Sequence, residues 1–397
     1  MTSIYILSLY INTVPSAGPY TAPLQSIREG GFSHPAQVAP PSSLFINLGF
    51  IIINMEQHFV SSIRRTFRNI FLHSSGQPLH CVIVTDQLSA SSVRLALAEL
   101  LSLHLVHQLL SNTTWSRRRA LPPIRFSFVD IEDVIGSNRG FVDALKRQSI
   151  NGEDVTKDKY ASDLFYIAPL YHLAFLAMDR IIFLDSTDLL FMSDVKDLDD
   201  LHEDMDSDAV MMIGLDLSPH YRVNLEDYIK TNPDTRLGLP GRYQGLNTGV
   251  ALYALNKMRA SARYNENLTP DKVEELFTRY QMKMSVGDQD WLTLLSFQEE
   301  SLFSILPCQY NAQTSLQYWH LFRATFSSYH QCGGPSTAKI VHFNGCGPEP
   351  QSCGSPPARI AEYREHINVV LQVIPMHNLW VFLGQVHNSH TKLNTKT

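Results

Sequence analysis

The sequence predicts an α/β fold, a mostly parallel central sheet flanked by helices. Three observations lead there. Short apolar runs alternate with amphipathic helical stretches, the rhythm of strands joined by crossover helices. The run Arg180–Leu184 (RIIFL) is continuously apolar and stops at acidic residues, as a central strand opening onto a site does. The composition, 44% hydrophobic and 18% charged over 397 residues, supplies a large core and excludes a disordered chain. The 20 Gly and 21 Pro follow no repeat, which excludes a collagen-like rod.

In order along the chain, residues 1–42 are rich in Pro, Ser and Gly and read as a tail, or a degenerate signal or stem. One domain is expected over 43–385, with a short tail over 386–397. Phe45–Asn54 is expected to be a strand. His58–Leu72 spaces its apolar residues helically with Arg between them. Leu79–Thr85 (LHCVIVT) reads as a second strand, and Ser89–Leu110 as a long helix with Ser89 as its N-cap. Ile124–Val129 is a third strand. Asp163–Ala177 looks helical and leads into Arg180–Leu184. Val210–Asp216 and Leu246–Leu255 are further strands, the second after a Gly/Pro-rich loop. Pro270–Tyr280 and Asp290–Gln298 are helices, and Lys339–His342 is a late strand. Ligands of open α/β sheets sit at strand carboxyl ends, so the residues after Val84, Leu184 and Val341 should share one crevice.

A net charge of −6, from 32 Lys+Arg against 38 Asp+Glu, argues against nucleic acid as the main partner. An anionic substrate would need a metal ion or a local basic patch. No run reaches the ~20 apolar residues of a membrane span. Met1–Ile11 is apolar without a basic start, which leaves a cleaved or anchoring signal open. Of the five cysteines, Cys81 lies in an apolar run and reads as core. Cys308, Cys332, Cys346 and Cys353 lack CxxC spacing, which favours disulfides over zinc.

Four places could carry chemistry. Asp185 and Asp188 follow a strand directly, and paired carboxylates there call for a cation, for which oxygen ligands suit Mg²⁺ or Mn²⁺. Their spacing requires the chain to turn between them, and a plain capping turn would account for them equally well. His342 ends the last strand, and an imidazole beside carboxylates favours Mn²⁺ or a transition metal. Gly287-Asp288-Gln289-Asp290 opens a helix, where Asp also serves as a cap. Asn247-Thr248-Gly249 enters a strand, where a turn is the simpler account.

Taken together and in order, LDSTD (Leu184–Asp188), LNTGVALYAL (Leu246–Leu255), GDQDWLT (Gly287–Thr293) and KIVHFNGC (Lys339–Cys346) resemble the signatures of glycosyltransferase family 8. The resemblance runs over roughly residues 44–350. It implies a GT-A nucleotide-diphospho-sugar transferase fold and transfer with retention. Narrower likeness, in YRVNLEDYIKTNPDT (Tyr221–Thr235), LPCQYNAQT (Leu306–Thr314) and KIVHFNGC, is to a xylosyltransferase branch. Its members add α-linked xylose from UDP-xylose to a xylose–glucose disaccharide O-linked to EGF-like repeats. On that resemblance Asp185, Asp188 and His342 would hold Mn²⁺. Thr85, Asp86, Asp163, Asp185 and Gly345 would lie along the donor nucleotide sugar, and Asn247, Asp288 and Gln289 at the reacting sugars. Tyr310, Gln313, Tyr318 and Trp319 would meet the acceptor, or else pack as core. A lumenal setting in the endoplasmic reticulum or Golgi is implied, with a membrane anchor and a homodimer left open. Two departures stand out. The metal signature is Asp-Ser-Thr-Asp, one residue longer than Asp-x-Asp, and no Lys follows His342. Another transferase of the family, adding xylose or glucose to a different acceptor, and a non-catalytic sugar-nucleotide-binding module are the alternatives.

Overall fold

The apolar runs become strands of one large sheet. A computed structural model of the chain describes residues 12–13, 45–52, 57–74, 76–110, 123–148, 162–282, 284–314, 325, 328–330 and 338–344. The strands are β1 (Asn12–Thr13), β2 (Ile46–Ile51), β3 (Leu79–Thr85), β4 (Ile124–Asp130), β5 (Ile181–Leu184), β6 (Leu189–Phe191), β7 (Met211–Leu215), β8 (Leu246–Tyr253), β9 (Phe303–Ile305), β10 (Ala312–Gln313) and β11 (Ile340–His342). Eight of them form a sheet in the order β1-β4-β3-β2-β5-β8-β7-β9. Neighbours from β1 to β5 run parallel, as do β7 and β9, while β8 runs antiparallel between β5 and β7. A second, three-stranded sheet has the order β10-β11-β6, with β11 antiparallel to β6.

Both faces of the large sheet are covered, which is why its strands lack polar alternation. All seven residues of β3 are buried. Along it Val82 and Val84 enter one hydrophobic cluster while Cys81 and Ile83 enter the other. The same division holds on β5, with Ile181 and Phe183 on one side and Ile182 and Leu184 on the other. The helix Gln57–Leu72 and the helix Gln87–Leu110 pack with the second cluster through Ile63, Phe67, Val93 and Leu97. The helix Pro270–Tyr280 and the helix Asp288–Gln298 serve the first through Val273, Phe277, Trp291 and Leu295.

The structure corrects several expectations. The helix after β3 starts at Gln87, and its cap is Asp86, not Ser89. The Asp86 carboxylate accepts from Ser89 N at 2.7 Å and from Ser89 Oγ at 3.1 Å. Asp163–Ala177 is not one helix but two 3₁₀ turns, Asp163–Tyr166 and Ala168–Leu170, followed by one helical turn, Tyr171–Ala174. Pro169 removes an N–H there and disfavours helical geometry at Ala168. The stretch before β8 contains two short helices, His220–Asn224 and Glu226–Thr231, where only loop was expected. Within the expected N-terminal tail, Asn12–Thr13 pairs with Ser127 and Phe128 at the sheet edge. Cys81 is buried and free, and Cys308 is disulfide-bonded. Cys332, Cys346 and Cys353 lie outside the described residues. Among the described residues no helix is long and apolar enough to cross a membrane.

Candidate active site

After Leu184 the chain bends through Asp185–Asp188 and re-enters as β6. The bend leads into a strand, so these residues do not cap a helix. It is fastened on several sides. Asp185 N donates to Gly249 O at 2.9 Å, and Ser186 Oγ donates to Ile51 O at 3.1 Å. Phe343 N donates to Asp188 O at 2.9 Å. The pairing of β11 with β6 sets His342 opposite Leu189, one residue past Asp188. The required turn therefore exists, and a backbone ladder brings the imidazole to it.

His342 Nε2 lies 3.2 Å from Asp185 Oδ2 and 3.6 Å from Asp188 Oδ2. One ligand atom from each of the three residues fits within 4.8 Å of the others. His342 is buried, Asp188 largely so, and Asp185 is half exposed, so the cluster opens to solvent on the Asp185 side. Burial alone would lower the affinity of His342 for a proton, but Asp188 and Asp185 outweigh it and push its pKa up to about 10. Asp188 Oδ1 is buried with no hydrogen-bond partner among the described residues. An orphaned carboxylate oxygen is costly unless a cation satisfies it. Two carboxylates and one imidazole suit a divalent cation of borderline hardness. The residues present thus fit a metal ion.

The Asn247-Thr248-Gly249 segment borders this cluster at the start of β8. The β7–β8 register slips there: Ile213 faces Ala251 but Gly214 faces Asn247, leaving Thr248–Val250 as extra residues. Gly249 has no alternative, because a Cβ would lie 2.1 Å from His342 Cε1. Gln289, half-buried in the first turn of its helix, reaches the same segment. Its Oε1 accepts from Thr248 N at 3.1 Å and Thr248 Oγ1 at 3.3 Å, while its Nε2 donates to Tyr221 Oη at 3.2 Å. Asp288 is buried and accepts from Ala168 N at 2.8 Å through Oδ2. Burial, with Asp290 and Asp185 adding to it, raises its pKa to about 7. Asp290 is fully buried and saturated, accepting from Ser285 N, Val286 N and Tyr221 Oη. Gly287 turns the chain into this helix with φ of 72°, and a Cβ there would strike Phe165 O at 2.4 Å.

The remaining expected residues fall in various places. Thr85 is buried and Asp86 caps its helix at the carboxyl end of β3, two strands from β5 along the same edge. Asp163 lies in an ion-pair cluster with Lys146 at 2.6 Å and with Arg139. Burial opposes its charge, but the two cations hold its pKa below the usual range. Tyr310 and Gln313 are structural. Tyr310 Oη donates to Asp197 O, and Gln313 bridges Leu215 O and Leu217 N. Gly345, Tyr318 and Trp319 lie outside the described residues. Sequence reasoning did not single out Asn311 or Tyr221 as partners in the site. Their contacts span long stretches of chain, and no local spacing reports those.

The sequence profile of glycosyl transferase family 8 matches residues 47–348. The chain is 29% identical to mouse xyloside xylosyltransferase 1 over 265 residues, 64% of this chain and 66% of the relative. It is 28% identical to the human protein of the same name over the same shares. The match thus spans just under two thirds of the length of these relatives. Mouse xyloside xylosyltransferase 1 in its apo form shares the fold, with a TM-score of 0.64 at 23% identity, covering 77% of this chain and 99% of that one. The GT-A-like architecture expected from the sequence is therefore present.

Proposed function

The chain belongs to glycosyl transferase family 8, and from that membership we propose that it transfers xylose from UDP-xylose, with retention, to a xylose–glucose disaccharide O-linked to EGF-like repeats. The observation that carries this reading is the convergence of Asp185, Asp188 and His342 around one point, with an unsatisfied Asp188 oxygen among them. These three would hold Mn²⁺, which when bound would offset the charge of the donor diphosphate and of the leaving group. An overall acidic protein could hold a dianionic nucleotide in this way. Thr85, Asp86 and Gly345 are assigned to the nucleotide side, and Asp163 and Asn247 to the donor sugar. The setting is the lumen of the endoplasmic reticulum or Golgi.

Retention is proposed to proceed by attack of the acceptor hydroxyl on the face that the phosphate leaves. The hydroxyl oxygen bonds to the anomeric carbon as the bond to phosphate oxygen breaks, and the proton passes to the departing phosphate. Two features support this over a carboxylate nucleophile. Gln289, assigned to the reacting sugars, carries an amide, which is a poor nucleophile. Its neighbours are engaged, Asp288 with Ala168 N–H and Asp290 with four donors.

The test incubates the full chain with UDP-xylose, Mn²⁺ and an EGF-like repeat carrying xylose–glucose, and weighs the product. One added pentose is expected, with a loss of about 10²-fold or more in Asp188→Asn. An unchanged acceptor mass with UDP-xylose and a gain with UDP-glucose would overturn the donor assignment. Wild-type turnover in Asp188→Asn would overturn the metal role.

A further inference from the structure

Behind His342, on the side away from the carboxylates, stands Asn311, which is buried. His342 Nδ1 lies 3.0 Å from Asn311 Oδ1. Asn311 Nδ2 lies 3.0 Å from Asn247 Oδ1 and 3.3 Å from Asn247 O. An imidazole nitrogen can donate or accept, and an amide can be turned end for end, so these distances alone leave the proton unplaced. The backbone places it. Gly249 N–H can only donate, and it meets Asn247 Oδ1 at 3.2 Å, which makes that atom the oxygen. The carbonyl of Asn247 can only accept. Asn311 therefore faces two acceptors with its NH₂ group, and its oxygen must be the atom toward His342. An oxygen there requires a proton on Nδ1.

We infer that Asn311 is a positioning residue that fixes His342 with Nδ1 protonated, so that its Nε2 lone pair is aimed at the cation held by Asp185 and Asp188. The inference rests on reading those three residues as a cation site. Partners of this kind behind metal-bound histidines hold the ring and sharpen its basicity, and their loss costs about 10- to 100-fold in metal affinity. The same amide joins the cation site to Asn247 on β8, so one side chain holds a metal ligand and a residue assigned to the donor sugar. The fit is tight, since a Cβ at Gly214 would lie 2.9 Å from Asn311 Nδ2.

Mn²⁺ alone is the probe, titrated into the full chain and followed by the paramagnetic resonance signal of the free ion. Thermal unfolding of each variant is measured in chelator. Asn311→Ala removes the acceptor for Nδ1 and should weaken Mn²⁺ binding about 10- to 100-fold. Asn311→Asp keeps an oxygen opposite Nδ1 but turns another against the oxygens of Asn247. It should unfold at a lower temperature than Asn311→Ala yet bind Mn²⁺ more tightly than that variant. A merely structural role would make affinity follow stability through both variants, and that result would overturn the inference. Should Asn311→Asp fail to fold, wild-type Mn²⁺ affinity in Asn311→Ala would overturn it alone. A wild-type chain that binds no Mn²⁺ would remove the cation reading and this inference together, whereas equal binding by wild type and Asn311→Ala would remove only the inference.

Discussion

Below pH about 7 the Asp288 carboxyl keeps its proton in the folded chain, against an ordinary value of 3.8. Its raised pKa means that folding favours the protonated form. The stabilisation is complete below the unfolded value and is lost as pH rises from about 4 through about 7. Other groups titrate in this window, among them His80, whose pKa burial lowers to about 4, so the effect is isolated by a difference. In chelator, Asp288→Asn should gain urea stability relative to wild type as pH rises across that range, because its amide never ionises. Parallel profiles for the two proteins would show that Asp288 ionises normally. Asp288 and Gln289 stand out in the sequence as residues opening a helix. That one has its pKa raised to about 7 and the other is locked to Thr248 and Tyr221 is a matter of burial and long-range pairing, which a linear reading does not contain.

Where β11 approaches β8, the His342 imidazole packs against Gly249. Gly249 lies beneath the ring, and its φ is not what demands glycine; the proximity of His342 does. Gly249→Ala forces the ring or the strand to move, an overpacking strain of about 1–3 kcal/mol. The variant should melt lower and should also bind Mn²⁺ more weakly, read by the same titration of free ion. Unaltered Mn²⁺ affinity would mean that the ring can retreat without losing its aim at the acids. The long buried strands and amphipathic helices were legible because apolar periodicity is a local property. Of the three-stranded sheet only β11 was read as a strand, and at two or three residues each its strands carry too little pattern for their pairing to be legible. Pro169 shows the converse case: the apolar spacing of Asp163–Ala177 is helical, but backbone chemistry breaks it into turns.

Across the whole molecule, a ligand that binds only the folded state raises stability by mass action. With Asp185, Asp188 and His342 joined by a cation, UDP should stabilise the chain strongly when Mn²⁺ is present and much less in chelator. Differential scanning calorimetry with UDP alone, Mn²⁺ alone and both would measure this. Stabilisation by UDP that is indifferent to Mn²⁺ would argue for a nucleotide-binding module without the cation. At this scale the sequence carried the class of fold, the order of signatures and the three residues, Asp185, Asp188 and His342, that the fold brings together. It did not carry the antiparallel place of β8, because neighbour order in a sheet depends on which faces find cover.

The cluster draws on β5, on the bend before β6 and on β11, so its members are synthesised far apart in time. A growing chain displays both acids long before the nitrogen that completes them has been translated. Until β11 docks, the two negative charges face each other with no shared counterweight. The three-residue clasp is thus complete only once β11 has docked, and a chain truncated ahead of Ile340 keeps the acids but loses the imidazole.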